Sequence, residues 1–149
     1  MDLGLTDKVA IVTASSKGMG KAVAQQLAEE GAKVVICSRN NDALNKAAKD
    51  IQKKTGKEVL PVKCDVTSST DLENLFKTAK KYLKKVDILV CNAGGPPQGT
   101  FEKLTERDFT WAIELNHKST INMGRLAEKK KKKQKWGRII AITSISAKQ

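Results

Sequence analysis

Aromatic side chains are scarce: one Tyr, two Trp and three Phe make up 4% of the 149 residues. The core must therefore be assembled from Val, Ile, Leu and Ala. There is one histidine, His117, and no Cys-x-x-Cys pair, so a Cys/His zinc site is excluded and no metal is expected. His117 reads as an exposed helix residue. Three cysteines, an odd number, suit a reducing compartment. Cys37, Cys64 and Cys91 recur every 27 residues, each near the end of an apolar run. A repeating strand-plus-helix unit accounts for that spacing. No apolar run approaches the roughly 18 residues of a membrane-spanning helix. The opening "MDLGLTDKVAIVT" lacks a basic leader, an apolar stretch and a small-residue cleavage site. A cytoplasmic protein with no membrane partner is the expectation.

Lysine is what the sequence has in excess. Net charge is +12, and Lys129, Lys130, Lys131, Lys132, Lys133 and Lys135 stand almost consecutively. A basic surplus permits binding to nucleic acid or acidic surfaces. No aromatics interleave with this run and no reading motif accompanies it, so nucleic acid is not the expected partner. Lysines in the last turns of a helix also suit the negative end of its dipole.

Along the chain, strand and helix patterns alternate. Apolar runs at 8–13, 32–38, 58–64, 86–92 and 137–143 read as buried strands. Pro61 marks its strand as an edge, since proline cannot donate to a ladder on both sides. Between them lie helical patterns. Met19, Val23 and Leu27 form one apolar face, closed by Gly31; Leu44, Ala47, Ala48 and Ile51 form the next, closed by Gly56. Leu72, Leu75, Phe76, Ala79 and Leu83 form the third, after an entry at Ser68 to Thr70. "AGGPPQG" at 93–99 is a loop. Thr105 with Asp108 opens the last helix, expected to run to about residue 134, with polar groups interrupting its stripe at 116–122. The alternation predicts one α/β domain over 1–149, a doubly wound parallel sheet with helices on both faces.

"VTASSKGMGK" at 12–21 carries the chemistry. A strand leads through Thr13, Ala14, Ser15, Ser16 and Lys17 to Gly18, Met19 and Gly20 at a helix start. Glycines let backbone N–H groups approach a diphosphate, and a helix N-terminus favours its charge. The second strand ends in "CSRNN", with Ser38 and Arg39 and no acid. A carboxylate there hydrogen-bonds a ribose 2′-hydroxyl, whereas arginine accommodates a 2′-phosphate. With Lys17 nearby, NADP is expected in preference to NAD.

At this point the chain resembles the short-chain dehydrogenase/reductase family. "TASSKGMG" is similar to its TGxxxGxG turn, and "CNAGG" at 91–95 to its NNAG motif, including Asn92, Ala93 and Gly94. "CDV" at 64–66 resembles the segment whose acid lies by the adenine, here Asp65 followed by Val66. Asn116 in "IELNHKS" and Ser144 in "IIAITSIS" match the helix asparagine and the active-site serine. "GGPPQGTFEKLTERDF" and "QKWGRIIAITSIS" resemble 3-oxoacyl-carrier-protein reductase-type members in particular. The resemblance implies a Rossmann-like sheet of five strands in the order 3-2-1-4-5, NADPH-dependent reduction of a small carbonyl or acyl thioester, and catalytic roles for Asn116 and Ser144.

The departures are specific. Ala14 stands for the first glycine of the turn, a place where small residues are usually tolerated, and Cys91 for the first asparagine of NNAG. The family's Tyr-x-x-x-Lys is due a dozen or so positions after Ser144, beyond the last residue; the sole tyrosine, Tyr82, lies in the third helical pattern. The family's proton donor is thus not among these residues. The expectation is a truncated, dinucleotide-binding portion without turnover, monomeric or weakly associating through an uncovered fifth strand. The other open reading is an engineered or truncated scaffold, kept soluble by its lysines, that binds no cofactor.

Overall fold

The computed structural model describes residues 3–131 and 136–144. Strand β1 (Val9–Val12) is wholly buried along "VAIV" and forms the centre of the sheet. Around it lie β2 (Lys33–Ser38), β3 (Val59–Lys63), β4 (Ile88–Cys91) and β5 (Arg138–Ala141), in the order β3-β2-β1-β4-β5, every pairing parallel. This is the order the resemblance implied, and Pro61 does lie on an edge strand.

Alternate residues of each strand feed opposite faces, as the two-residue period requires. Ala10, Val12, Val34 and Ile36 meet α1 (Gly18–Glu29) and α2 (Asn41–Thr55), which bury Ala24, Ala28, Leu44 and Ile51. Ile11, Val35 and Leu89 meet α3 (Ser69–Leu83) and the last helix through Leu72, Leu75, Phe76 and Met123. Both faces are therefore covered over β1 to β4, whereas β5 is exposed along its length, and no helix of the described residues is long and apolar enough to cross a membrane.

Of the expected face of α1, Val23 and Leu27 pack partly buried against the core, but Met19 does not. Met19 is 66% exposed, while Gly20, Ala24 and Ala28 are buried. Close packing decides this. A Cβ on Gly20 would lie 2.6 Å from the Ala14 carbonyl oxygen, so only glycine lets the helix start approach β1.

The last helix begins as expected, with Thr105 and Asp108 bonding each other's backbone N–H. It has three parts: α4 (Glu106–Ala112), a π-helical segment (Ile113–Lys118) and α5 (Ser119–Lys131). The expected extension to residue 134, with Lys132, Lys133 and Lys135, lies outside the described residues. The polar stretch predicted at 116–122 overlaps the end of the π segment at 116–118 and continues into α5. Asn116, Ser119 and Thr120 side chains donate to the carbonyls of Ala112, Leu115 and Asn116, four residues back. Leu115, Ser119, Met123 and Ala127 are all buried. A four-residue spacing drifts round a 3.6-residue helix by about 40° per step. The wider π turn takes back part of that drift and keeps the row against the sheet.

At the start of β4, buried Asp87 ties three strands together. Its Oδ2 accepts from the Val9 amide at 2.8 Å and from Lys85 Nζ at 3.0 Å, and its carbonyl accepts from the Arg138 amide at 3.0 Å.

Candidate functional site

The loop between β1 and α1 is stitched to both neighbouring strands. Thr13 Oγ1 donates to the Asn92 carbonyl at 2.6 Å and accepts from the Asn92 amide at 2.9 Å. Ser15 Oγ donates to the Val12 carbonyl at 2.7 Å and accepts from the Cys37 amide at 3.0 Å. Asn92 Nδ2 donates to the carbonyls of Thr13 and Ala14, each at 3.2 Å. Thr13 and Ser15 are fully buried, so these hydroxyls shape the loop from beneath.

The loop turns through two left-handed residues, Ala14 (φ 47°) and Gly18 (φ 57°). For glycine this conformation is free; for alanine it costs about 1–2 kcal/mol. The departure from glycine at position 14 is thus a strained one.

The start of α1 is unlike the other helix starts. Asn40, Ser68 and Thr105 cap α2, α3 and α4 with side-chain oxygens, and each of those helices has an acid in its first turn. Lys17 precedes α1, makes no side-chain cap, and no acid follows in the first turn. The first N–H groups of any helix lack intrahelical acceptors. Here they meet no side-chain oxygen and no carboxylate, at the positive end of a dipole.

These N–H groups open on a cleft of about 420 Å³ at the carboxyl ends of the strands. Ser16, Lys17, Gly18 and Met19 line one side, and Ser38, Arg39, Asp65 and Val66 another. Asn92, Ala93 and Gly94 line the floor by β4. Of the expected binding residues, Thr13, Ser15 and Gly20 stand behind the wall. Arg39 and Lys17 are exposed at the rim, and among the described residues neither pairs with a carboxylate. Ser38 Oγ donates to the Asn40 carbonyl at 3.0 Å. Asp65 Oδ1 accepts from the amide and hydroxyl of Thr67, at 3.0 and 2.8 Å, which fixes its carboxylate.

Four further residues complete the lining: Ala14, Asn40, Cys64 and Leu115. The helix-start pattern at 40–43 could have located Asn40, and the neighbouring Asn116 could have located Leu115. Ala14 could have been located from the turn that holds it, and from the "CDV" segment so could Cys64. Cys64 touches the buried thiol of Cys37, whose pKa is pushed well above its ordinary value by that contact and by burial. All three cysteines are buried and unbridged.

The two expected catalytic residues are not part of this lining. Asn116 is exposed on the π segment and donates to the Ala112 carbonyl at 3.1 Å. Ser144 is exposed past the end of β5.

A parallel sheet whose strand order reverses beside β1, with a glycine turn and an uncapped helix at that reversal, defines a doubly wound nucleotide-type α/β fold with its crevice at the switch point. The family model for short chain dehydrogenase matches residues 8–149, and the chain belongs to that family. It is 38% identical over 146 residues to the 7alpha-hydroxysteroid dehydrogenase of Escherichia coli K12, covering 98% of this chain and 56% of the relative. It is 30% identical over 145 residues to the 3-oxoacyl-[acyl-carrier-protein] reductase of Aquifex aeolicus, covering 97% and 58%. Among solved structures, a 7 alpha-hydroxysteroid dehydrogenase complexed with NADH and 7-oxo glycochenodeoxycholic acid superposes with a TM-score of 0.91 at 38% identity, over 97% of this chain and 56% of that one. The L-sorbose reductase of Gluconobacter frateurii, complexed with NADPH and L-sorbose, gives 0.92 at 32% identity, over 99% and 56%. The chain thus spans a little over half the length of these relatives.

Proposed function

We propose that residues 1–149 are the NADP-binding portion of a carbonyl reductase of the 3-oxoacyl-carrier-protein reductase type. One observation carries the cofactor choice: β2 ends at Ser38, followed by Arg39 at the cleft, with no acid at that strand end and Lys17 on the cleft's other side. An acid at this strand end serves a 2′-hydroxyl; two cations there serve a 2′-phosphate.

The cleft fits a dinucleotide by its own features. A Cβ on Gly20 would press on the Ala14 carbonyl, Gly18 is left-handed, and the α1 start presents uncapped donors. In this reading the N–H groups at Gly18 to Gly20 hold the diphosphate, Asp65 and Val66 border the adenine, and Asn92 to Gly94 floor the path toward the nicotinamide. The bound cofactor supplies the hydride. Together with the family's tyrosine, Asn116 would belong to a proton relay and Ser144 would orient the substrate oxygen. Residues 1–149 do not include that tyrosine, so these residues by themselves are proposed to bind cofactor without turnover. Three unbridged cysteines support a reducing, cytoplasmic setting. The exposed edge strand β5 supports a monomer or a weak association.

Fluorescence titration with NADPH and NADH, on the chain and on Arg39→Ala, tests the reading. NADPH binds at least tenfold more tightly, and Arg39→Ala removes the difference. Equal affinities overturn the phosphate assignment, and no binding of either favours a scaffold without a ligand. Turnover of a 3-oxoacyl thioester overturns the claim of inactivity.

A further inference from the structure

A second cavity, of about 570 Å³, lies at the opposite ends of the strands from the cleft. Its apolar wall is Val34 from β2, Leu60 from β3, and Tyr82 and Leu83 from the last turn of α3. Leu60 and Leu83 are only partly buried against the core beneath them, and Tyr82 is 62% exposed. This is apolar surface in a concave place at an edge of the sheet.

Its rim has an excess of one cation, three lysines against two carboxylates, with Glu58 next to Lys57. Lys33, Lys57 and Lys84 line it, together with Asp7 and Glu58. Asp7 is taken by Lys33 at 3.2 Å. Among the described residues, Lys57 and Lys84 have no carboxylate partner. The end carbonyls of α3 are faced by Lys80 and Lys81 in its own last turn, and Lys84 lies beyond them. From residue 77 to residue 86 α3 and its exit carry five lysines and no acid. Lys84 also holds a left-handed conformation (φ 69°) where glycine is the unstrained choice.

We infer that this cavity binds an amphipathic anion, its apolar tail against Leu60, Tyr82 and Leu83 and its acid group at Lys57 and Lys84. A pocket that is mostly apolar with a few convergent polar groups is the usual form of a small-molecule site. The site is independent of the dinucleotide cleft, which lies at the other end of the sheet.

The test is calorimetric titration of the whole chain with laurate below its micelle concentration, with dodecyltrimethylammonium as the cationic counterpart. Each titration is repeated with saturating NADPH. Laurate binds, the cation does not, and NADPH leaves the laurate isotherm unchanged. In Lys57→Gln/Lys84→Gly, laurate binds at least tenfold more weakly. Glycine relieves the left-handed backbone at position 84, so the melting temperature of this variant does not fall and the loss is not misfolding. No laurate binding, equal binding of both surfactants, unchanged affinity in the double variant, or displacement by NADPH each overturns the inference. Where laurate binds as expected, phosphatidylglycerol vesicles separate the sources: sedimentation with them, lost in the double variant, assigns the anion to a lipid surface, and none assigns it to a soluble acid.

Discussion

Asn92 Nδ2 donates to the Ala14 carbonyl at 3.2 Å, reaching from the end of β4 into the loop that opens α1. The same amide reaches Thr13. These bonds hold the left-handed turn in place and leave the helix start facing the cleft. Asn92→Ala leaves the buried Thr13 carbonyl and the part-buried Ala14 carbonyl without that donor. Stability falls by about 1–3 kcal/mol, measured by urea denaturation, and NADPH affinity falls with it. An unchanged denaturation midpoint contradicts the role.

Gly20 and Ala14 make a pair with opposite expected outcomes. Gly20→Ala drives a methyl to 2.6 Å from the Ala14 carbonyl oxygen and 2.7 Å from Asn92 Nδ2. It destabilises by about 1–3 kcal/mol. Ala14→Gly removes the strain of a left-handed alanine and stabilises by about 1 kcal/mol after the entropy of glycine is counted. Thermal denaturation of both variants reads the signs, and a destabilised Ala14→Gly contradicts the strain.

Asp87 is a buried acceptor for the Val9 amide. Asp87→Ala leaves that amide unsatisfied between β1 and β4 and costs about 1–3 kcal/mol. Asp87→Asn keeps an acceptor oxygen and recovers part of the loss. Equal loss in the two variants, by chemical denaturation, contradicts the hydrogen-bond account.

Asp108 is held below its ordinary pKa by the Thr105 backbone amide first and the Thr105 hydroxyl second. A depressed folded value means the contribution is present above the unfolded carboxylate pKa of about 3.9 and is lost as pH falls through the folded one. The protection of amides in the first turn of α4, taken relative to the intrinsic exchange rate at each pH, therefore falls in that acid window, and in Asp108→Asn this fall is absent. A pH dependence that survives this substitution contradicts the assignment.

Much of the architecture was legible because periodicity and caps are local. The strand runs, the αL glycine at position 56, Ser68 and Thr105 all lie where propensity and pattern place them. On α1, Val23 and Leu27 were legible as core-facing, but the first turn was not. Met19 is the larger apolar residue, yet the contact is decided by how closely a helix can approach β1, a tertiary quantity that selects Gly20. The π segment was visible only as an interruption of the apolar stripe, since the row it keeps against the sheet is set by packing and not by local pattern. Residue types marked Thr13 and Ser15 as site residues without showing that they are buried supports for the loop. The cleft's rim cations, Lys17 and Arg39, were readable from the strand end and the turn, because the topology of a doubly wound sheet brings those two segments together.

The account rests on a diphosphate held by the backbone at the start of α1. Amide proton–nitrogen NMR spectra recorded during NADPH addition test it most directly. The account predicts that the largest shifts fall on Ser16, Lys17, Gly18, Met19 and Gly20, with Arg39 next. Shifts confined to other parts of the chain, with these five amides unmoved at saturation, contradict it.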